Sequence, residues 1–229
     1  MVRHASEGQQ PLRTRAVRID SSGETLSGDW SKPANAVGAV LFAHGSGSSR
    51  SSGRNRYVAG VLQSAGLATL LFDLLTPEEE QVDVRTRHLR FDIPLLARRL
   101  VGATDWLLEH GAGDLSLGYF DASTGAAAAL IAAAERPNRI RAVVSRGGRP
   151  DLAGPALARV HAPTLLIVGG LDAGVIELNE DAAAQLRVEK KLEMVPGATH
   201  LFEEPGTLER VAVLAKHWFL EHLAPSRER

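Results

Sequence analysis

Apolar runs of strand length, separated by helical segments, are the feature that most constrains the fold of this 229-residue chain. Five runs are continuously apolar and rich in Val, Leu and Ile, as strands buried on both faces of a parallel sheet are. These runs lie within residues 36–45, 67–74, 114–121, 140–148 and 162–170. Together with the helical segments between them, they predict an α/β fold, in which helices cover both faces of a mostly parallel sheet.

Further elements extend this sheet at both ends of the chain. Residues 14–20 and 24–30 alternate polar and apolar side chains around the turn-forming sequence SSG, which predicts an antiparallel opening pair. Residues 190–197 supply one more strand, so a sheet of about eight strands is expected. Helices are predicted at residues 54–66, 92–111, 124–137, 175–186 and 207–223. The one long polar connection, residues 75–91, is expected to be a solvated loop, with a cover over a site as the alternative.

The composition is that of one soluble domain. We expect a flexible N-terminal tail at residues 1–12 and a single domain over residues 13–224. The 26 basic and 27 acidic side chains leave a formal charge of -1, so neither nucleic acid nor a membrane is an expected partner. With a polar N-terminus and no apolar run of membrane-spanning length, the expected location is cytoplasmic. The absence of cysteine excludes disulfides and a thiol nucleophile.

Three reactive side chains follow predicted strands, where the carboxyl ends of a parallel sheet place ligands. They are Ser123, Asp172 and His200, and their order along the chain is that of α/β-hydrolases. A serine hydroxyl needs a base to take its proton and a third group to orient that base. We therefore predict a catalytic triad, although each residue alone has an ordinary alternative as a helix cap, a turn residue or a surface histidine.

Acyl transfer also needs donors for the oxyanion that develops on the carbonyl. We predict that one is the backbone N–H of Thr124, directly after the serine, and that the other is that of Ser46 in the sequence HGSGSSR. Gly45 and Gly47 beside it let the backbone approach a substrate. A phosphate-binding loop is the alternative for this segment, but the Lys-Ser or Lys-Thr pair that such a loop requires is missing.

The segments HGSGSSR, DASTGAAAALIAAAE, LLIVGGLDAGVIELN and GATHLFEEPGTLERV together resemble the dienelactone-hydrolase-like branch of the α/β-hydrolase superfamily. More narrowly, the chain resembles the small bacterial hydrolases that also occur fused to, or beside, phosphoribosyltransferase domains. The resemblance implies an α/β-hydrolase fold and a cofactor-free serine hydrolase that cleaves small-molecule carboxylic esters through an acyl-enzyme. It also implies a monomer or homodimer with a functional link to a phosphoribosyltransferase. Dienelactone hydrolases proper use a cysteine nucleophile, so dienelactone itself is not an expected substrate.

One residue departs from the pattern of this group, whose turn around the nucleophile usually reads Gly-Ala-Ser-Thr-Gly. The first position here is Asp121, where strand and helix come close and a small residue is expected. A register with Asp121 as nucleophile is disfavoured because Tyr119 would then occupy such a position. A carboxylate near Ser123 either stabilises protonated His200 or repels the oxyanion. In the second case Asp121→Gly should raise ester turnover, and a catalytically silent binding protein is the alternative function.

Two arginines, Arg146 and Arg149, follow a central strand and are candidates to pair with an anionic substrate group. The alternative for them is a structural ion pair with Asp151 or with the 75–91 connection. The arginines of that connection, Arg85, Arg87 and Arg90, are expected to be solvated. His44 is expected to be a hydrogen-bonded structural histidine, and the spacing of the other histidines predicts no metal site.

Overall fold

The apolar runs form the strands of one eight-stranded sheet in the computed structural model, which describes residues 12–45 and 47–225. The strands are β1 (Arg13–Ser21), β2 (Glu24–Lys32), β3 (Gly38–Ala43), β4 (Leu67–Phe72), β5 (Leu117–Ser123), β6 (Ile140–Gly148), β7 (Thr164–Gly169) and β8 (Lys190–Val195). Their order across the sheet is β1-β2-β4-β3-β5-β6-β7-β8. β2 runs antiparallel to β1 and β4, and the pairs from β4 to β8 are parallel. The predicted α/β class and the antiparallel opening pair are confirmed.

The helices cover both faces of this sheet. They are α1 (Gly53–Ser64), α2 (Pro77–Thr86), α3 (Ile93–Leu107), α4 (Gly125–Glu135), α5 (Ala173–Gln185) and α6 (Thr207–Leu223), with a π-helical turn at Leu108–Ala112 and 3₁₀ segments at Leu89–Phe91 and Pro150–Arg159. One apolar core lies beneath α3 and α4, and a second lies beneath α1 and α6. Among the helices described, none has both the length and the apolar character needed to cross a membrane.

The prediction of a solvated loop over residues 75–91 was wrong, because α2 occupies most of that segment. Thr76 caps the helix: its hydroxyl accepts from the Glu79 N–H, and the Glu79 carboxylate accepts from the Thr76 N–H at 2.8 Å. This reciprocal capping box stabilises the start of a helix that buries no apolar side chain. The prediction for Arg90 was also wrong, because its Nε donates at 2.5 Å to Asp83, a carboxylate that is only 1% exposed.

The turn from β5 into α4 depends on a glycine. A Cβ on Gly125 would lie 2.5 Å from the backbone oxygen of Ala43 and 2.9 Å from that of His44. The next four residues, all alanine, are fully buried. The helix therefore starts in direct contact with the end of β3, which explains the small residues that follow Ser123.

A methyl group at this crossing should destabilise the fold. We expect Gly125→Ala to lower the free energy of unfolding by at least about 2 kcal/mol, because backbone atoms must move to admit it. Gly174→Ala is the matched control, since Gly174 also lies in the first turn of a helix but its Cβ would meet nothing within 4 Å. That control should gain about 0.5 kcal/mol. Urea unfolding measures both, and equal midpoints for the two variants would contradict the packing argument.

Candidate active site

Asp172 and His200 meet at the carboxyl edge of the sheet. Asp172 is the residue before α5, in the short loop after β7, and His200 lies in the loop after β8. His200 Nδ1 and Asp172 Oδ2 are 2.7 Å apart. In the neutral ring this contact places the proton on Nδ1, which donates to the carboxylate, and leaves Nε2 as an acceptor. The pair thus has the orientation that a general base and its orienting carboxylate require.

Backbone contacts hold the two loops of this pair together. A Cβ on Gly169 would lie 2.5 Å from the backbone oxygen of Ala198 and 2.6 Å from that of Thr199. The Leu171 N–H donates to the Ala198 oxygen at 3.0 Å. The glycines after β7 therefore allow the loop that carries His200 to lie directly on the loop that carries Asp172.

Ser123 is the last residue of β5 and has a left-handed backbone, with φ of +51°. This conformation is unfavourable for a residue with a Cβ and is typical of strained functional turns. Thr124 follows as the N-cap of α4. A Cβ on Gly45 would lie 2.8 Å from the Cβ of Ser123, so the loop after β3 starts against the serine.

The other predicted oxyanion donor, Ser46, lies outside the described residues, as does most of the predicted N-terminal tail.

The end of β6 lies between Ser123 and His200. The Arg149 N–H donates to the Ser123 oxygen at 2.9 Å. A Cβ on Gly147, whose φ is +53°, would lie 3.0 Å from the His200 oxygen. Gly147 and Gly148 thus join the serine turn to the histidine loop. Sequence reasoning did not assign them a role, although a glycine pair that ends a buried strand was a signal for such a close approach.

His44 is a structural histidine, as predicted. Its Nε2 accepts from the Leu74 N–H at 3.0 Å, and its Nδ1 lies 3.1 Å from the Gly45 oxygen. Burial lowers its pKa, so the ring is neutral and donates through Nδ1. His44 therefore fixes the loop after β3 to the end of β4.

Comparison with known proteins places this arrangement in a family. A structure of dienelactone hydrolase from Anabaena variabilis is 62% identical, with a TM-score of 0.91, over 93% of this chain and 99% of that one. This chain belongs to the dienelactone hydrolase family. Est1E from Butyrivibrio proteoclasticus shares the fold at 18% identity and a TM-score of 0.73, over 90% of this chain and 98% of that one. No family model matches the sequence.

Curated relatives add a difference in length. A Mycobacterium tuberculosis protein with the provisional name phosphoribosyl transferase is 58% identical over 214 residues, which are 93% of this chain. The match spans 47% of that relative. This chain therefore covers about half the length of the curated relatives it matches.

The two arginines singled out in the sequence differ in their surroundings. Arg149 makes a bidentate ion pair with Asp151 at 2.8 and 2.7 Å, which is the structural alternative considered above. Arg146 is only 6% exposed, and its guanidinium lies 5.8 Å from the centroid of the Phe202 ring. Burial, together with the charge of Arg54, lowers the pKa of Arg146 to about 10. Its Nε has no hydrogen-bond partner among the described residues.

Asp121, the departure from the family pattern, is fully buried. Neither carboxyl oxygen has a hydrogen-bond partner within the described part of the chain. Burial raises the pKa of Asp121 to about 8, against the opposing effects of the Ser145 hydroxyl and the positive charge of Arg146. Asp121 is therefore an uncharged acid at neutral pH. Neither the stabilisation of protonated His200 nor the repulsion of an oxyanion operates until it ionises at higher pH.

The pKa of Asp121 makes the stability of the fold depend on pH. The unfolded carboxyl has a pKa of about 3.9, so between about pH 4 and pH 8 only the folded state holds the proton. The contribution of Asp121 to stability is therefore greatest below about pH 4 and is lost as the pH rises. Within the window, the free energy of unfolding should fall by about 1.4 kcal/mol per pH unit. Asp121→Asn removes this slope, whereas Asp114→Asn, at an exposed position, should keep it. Urea unfolding at several pH values measures the slopes, and identical slopes for wild type and Asp121→Asn would contradict the buried acid.

A groove of about 1210 Å³ lies beside the site. Its walls come from the loop after β3, the start of α2 and the segment that follows His200. His44 and Phe202 line it, but Ser123 and His200 do not. The groove is therefore a neighbour of the reactive residues. In the described residues, no three His, Asp or Glu side chains gather as ligands around a metal ion.

Proposed function

We propose that this protein is a serine hydrolase that cleaves carboxylic esters, with Ser123, His200 and Asp172 as its triad. The observation that carries the proposal is the 2.7 Å contact between His200 Nδ1 and Asp172, which leaves Nε2 to act as base at the edge where β5 ends in Ser123. The left-handed backbone of Ser123 supports its role as a nucleophile on a sharp strand-to-helix turn. The membership in the dienelactone hydrolase family supports the reaction class.

In the proposed reaction, Ser123 Oγ attacks the ester carbonyl while His200 Nε2 takes its proton. Collapse of the tetrahedral intermediate breaks the bond to the alcohol oxygen, which receives that proton from His200 and leaves. Water then attacks the acyl-serine, again giving a proton to His200, and the second collapse releases the acid and returns the proton to Ser123. Asp172 holds the ring in one tautomer and stabilises the imidazolium that forms twice per turnover.

We further propose that the oxyanion is held by the backbone N–H groups of Thr124 and Ser46. Thr124 supports this because it follows the nucleophile at the start of α4, where backbone N–H groups and the helix dipole favour negative charge. For Ser46 the support is its neighbour Gly45, which packs against Ser123.

The substrate is proposed to extend from Ser123 toward the groove beside Phe202, which has room for an acyl or alcohol group of several carbons. The similar Anabaena variabilis structure is that of a dienelactone hydrolase, but the cysteine nucleophile of dienelactone hydrolases proper has no counterpart in this chain. We therefore propose simple esters as the first substrates to examine. The M. tuberculosis relative, about twice as long, makes a phosphoribosyltransferase the proposed functional partner.

Pre-steady-state hydrolysis of p-nitrophenyl acetate tests the reaction class. The acyl-enzyme mechanism predicts a burst of p-nitrophenol equal to the enzyme concentration, followed by slower steady turnover. Turnover without any acyl-enzyme, trapped by acid quench and detected by intact mass, would contradict covalent catalysis. The absence of turnover on acetate, butyrate and lactone substrates would favour the catalytically silent binding protein.

A further inference from the structure

We propose that Asp121 is a positioning residue for the nucleophile: as a neutral acid it donates its O–H to Ser145, and this buried pair supports the turn at Ser123. The inference rests on the proposed function, because it concerns the serine that the reaction uses. It assigns a role to the one residue that departs from the family's usual turn.

The pair follows from the register of the sheet. Asp121 on β5 lies directly opposite Ser145 on β6, so the two side chains share one face at about the 4.8 Å spacing of adjacent strands. Both residues are fully buried, and in the described ranges neither side chain has a hydrogen-bond partner, so two unsatisfied polar groups lie side by side. An ionised carboxylate is costly in such a place, whereas a neutral acid can donate to the hydroxyl oxygen. A proton on one Asp121 oxygen thus gives that oxygen and the Ser145 hydroxyl a partner in each other.

Ser145 transmits this state to the nucleophile through Gly148. A Cβ on Gly148 would overlap the Ser145 hydroxyl and the Ala126 side chain, so the hydroxyl lies directly against the Gly148 backbone. Gly148 is the register partner of Ser123, and the next N–H, that of Arg149, donates to the Ser123 oxygen. A displacement of Ser145 therefore moves the backbone that holds the strained serine.

Within the described residues, no counter-ion lies directly against Asp121 when it ionises. The residue opposite it on β3 is Ala43, and the first turn of α4 above it carries only glycine and alanine. His44, at the end of β3, is neutral because burial lowers its pKa. On β6 the charged neighbour is Arg146, whose register partner is Ala122, so its side chain leaves from the opposite face and lies over Phe202. Ionisation therefore leaves a buried charge that only the Ser145 hydroxyl and the more distant Arg146 offset.

The pH dependence of kcat tests the pair, with p-nitrophenyl acetate as substrate. In the wild type, kcat should fall about tenfold per pH unit above about pH 8, where Asp121 ionises. Asp121→Asn keeps the shape and an N–H donor but cannot ionise, so its ratio of kcat at about pH 9.5 to that at about pH 7.5 should stay within about twofold of one. A fall in Asp121→Asn as steep as in the wild type overturns the proposal.

Ser145→Ala tests the pair independently, through the direction in which the alkaline fall in kcat moves. When Asp121 ionises, the Ser145 hydroxyl turns and donates to the carboxylate, and this charge-assisted bond lowers the pKa of Asp121, so removal of the hydroxyl should move the alkaline fall to higher pH. A purely structural role for Asp121 predicts a change in unfolding but none in the position of this limb. Circular dichroism at each pH separates the two, because the folded signal should persist while kcat falls. If Asp121→Asn does not fold, Asp121→Gly, with the family's usual residue, replaces it in the same comparison.

The protonation state of Asp121 can also be measured without any enzyme activity. If the wild type hydrolyses no ester at any pH, NMR measures the titration of the Asp121 carboxyl ¹³C signal. That signal is assigned by its loss in Asp121→Asn. That signal should titrate near pH 8 and at higher pH in Ser145→Ala. A midpoint below about pH 6 overturns the buried acid whatever the enzyme does.

Discussion

Replacing Ser123 with alanine should lower kcat/KM for p-nitrophenyl acetate by at least about 10⁴-fold, because the step that forms the acyl-enzyme loses its nucleophile. The fold should persist, since alanine removes one oxygen and introduces no new group into the turn. Small residual hydrolysis is expected from substrate binding and the oxyanion donors alone.

The matched control for this variant is Ser64→Ala. Ser64 lies on the exposed face of α1, where its hydroxyl donates to the Gly60 oxygen of the same helix. It should keep kcat/KM within about twofold, because surface changes of this kind have small effects. A Ser123→Ala enzyme with activity within tenfold of the wild type would contradict the assignment of the nucleophile.

Asp172→Asn should have the next largest effect, a fall in kcat of about 10³-fold to 10⁴-fold at neutral pH. The amide has nearly the same shape as the carboxylate, so the loops after β7 and β8 should keep their packing. It can present an N–H to His200 Nδ1, however, which favours the tautomer whose Nε2 carries a proton and cannot act as base. It also removes the charge that stabilises the imidazolium.

Asp151→Asn is the matched control for Asp172→Asn. Asp151 is also a paired carboxylate after a central strand, but it contacts Arg149 and no proposed catalytic side chain. Its kcat should change by less than about threefold, since a partly exposed ion pair contributes little. Steady-state kinetics of the two variants measures the difference, and equal losses would show that Asp172 acts only through general charge or stability.

Much of the fold could be predicted because its central strands are buried on both faces. Runs such as 162–170 contain almost only apolar residues, and five such runs with helices between them favour a parallel sheet. α2 was missed because charge dominates its sequence, and the helix depends on a local cap at Thr76 rather than on an apolar stripe. The residues of the cap are present in the sequence TPEE, but a polar segment without an apolar stripe is also typical of a solvated loop.

Part of the candidate site could likewise be predicted from the sequence, and part could not. Chain order and strand ends predict that Ser123, Asp172 and His200 lie at one edge of the sheet, and the contact between Asp172 and His200 could be expected from the sequence. The state of Asp121 could not. Its charge depends on which residues enclose it, and Ser145 becomes its neighbour only through the pairing of β5 with β6. A residue that looks like a nearby carboxylate in the sequence is a neutral acid in the fold.

Labelling with a fluorophosphonate, followed by peptide mass mapping, tests the central claim most directly, because the reagent reacts with a serine only where a base and oxyanion donors activate it. The account predicts one adduct per chain in the wild type, on the peptide that contains Ser123, and none in Ser123→Ala. The reagent must be used near neutral pH, where Asp121 is uncharged. No adduct, or an adduct on another residue that persists in Ser123→Ala, would contradict the account.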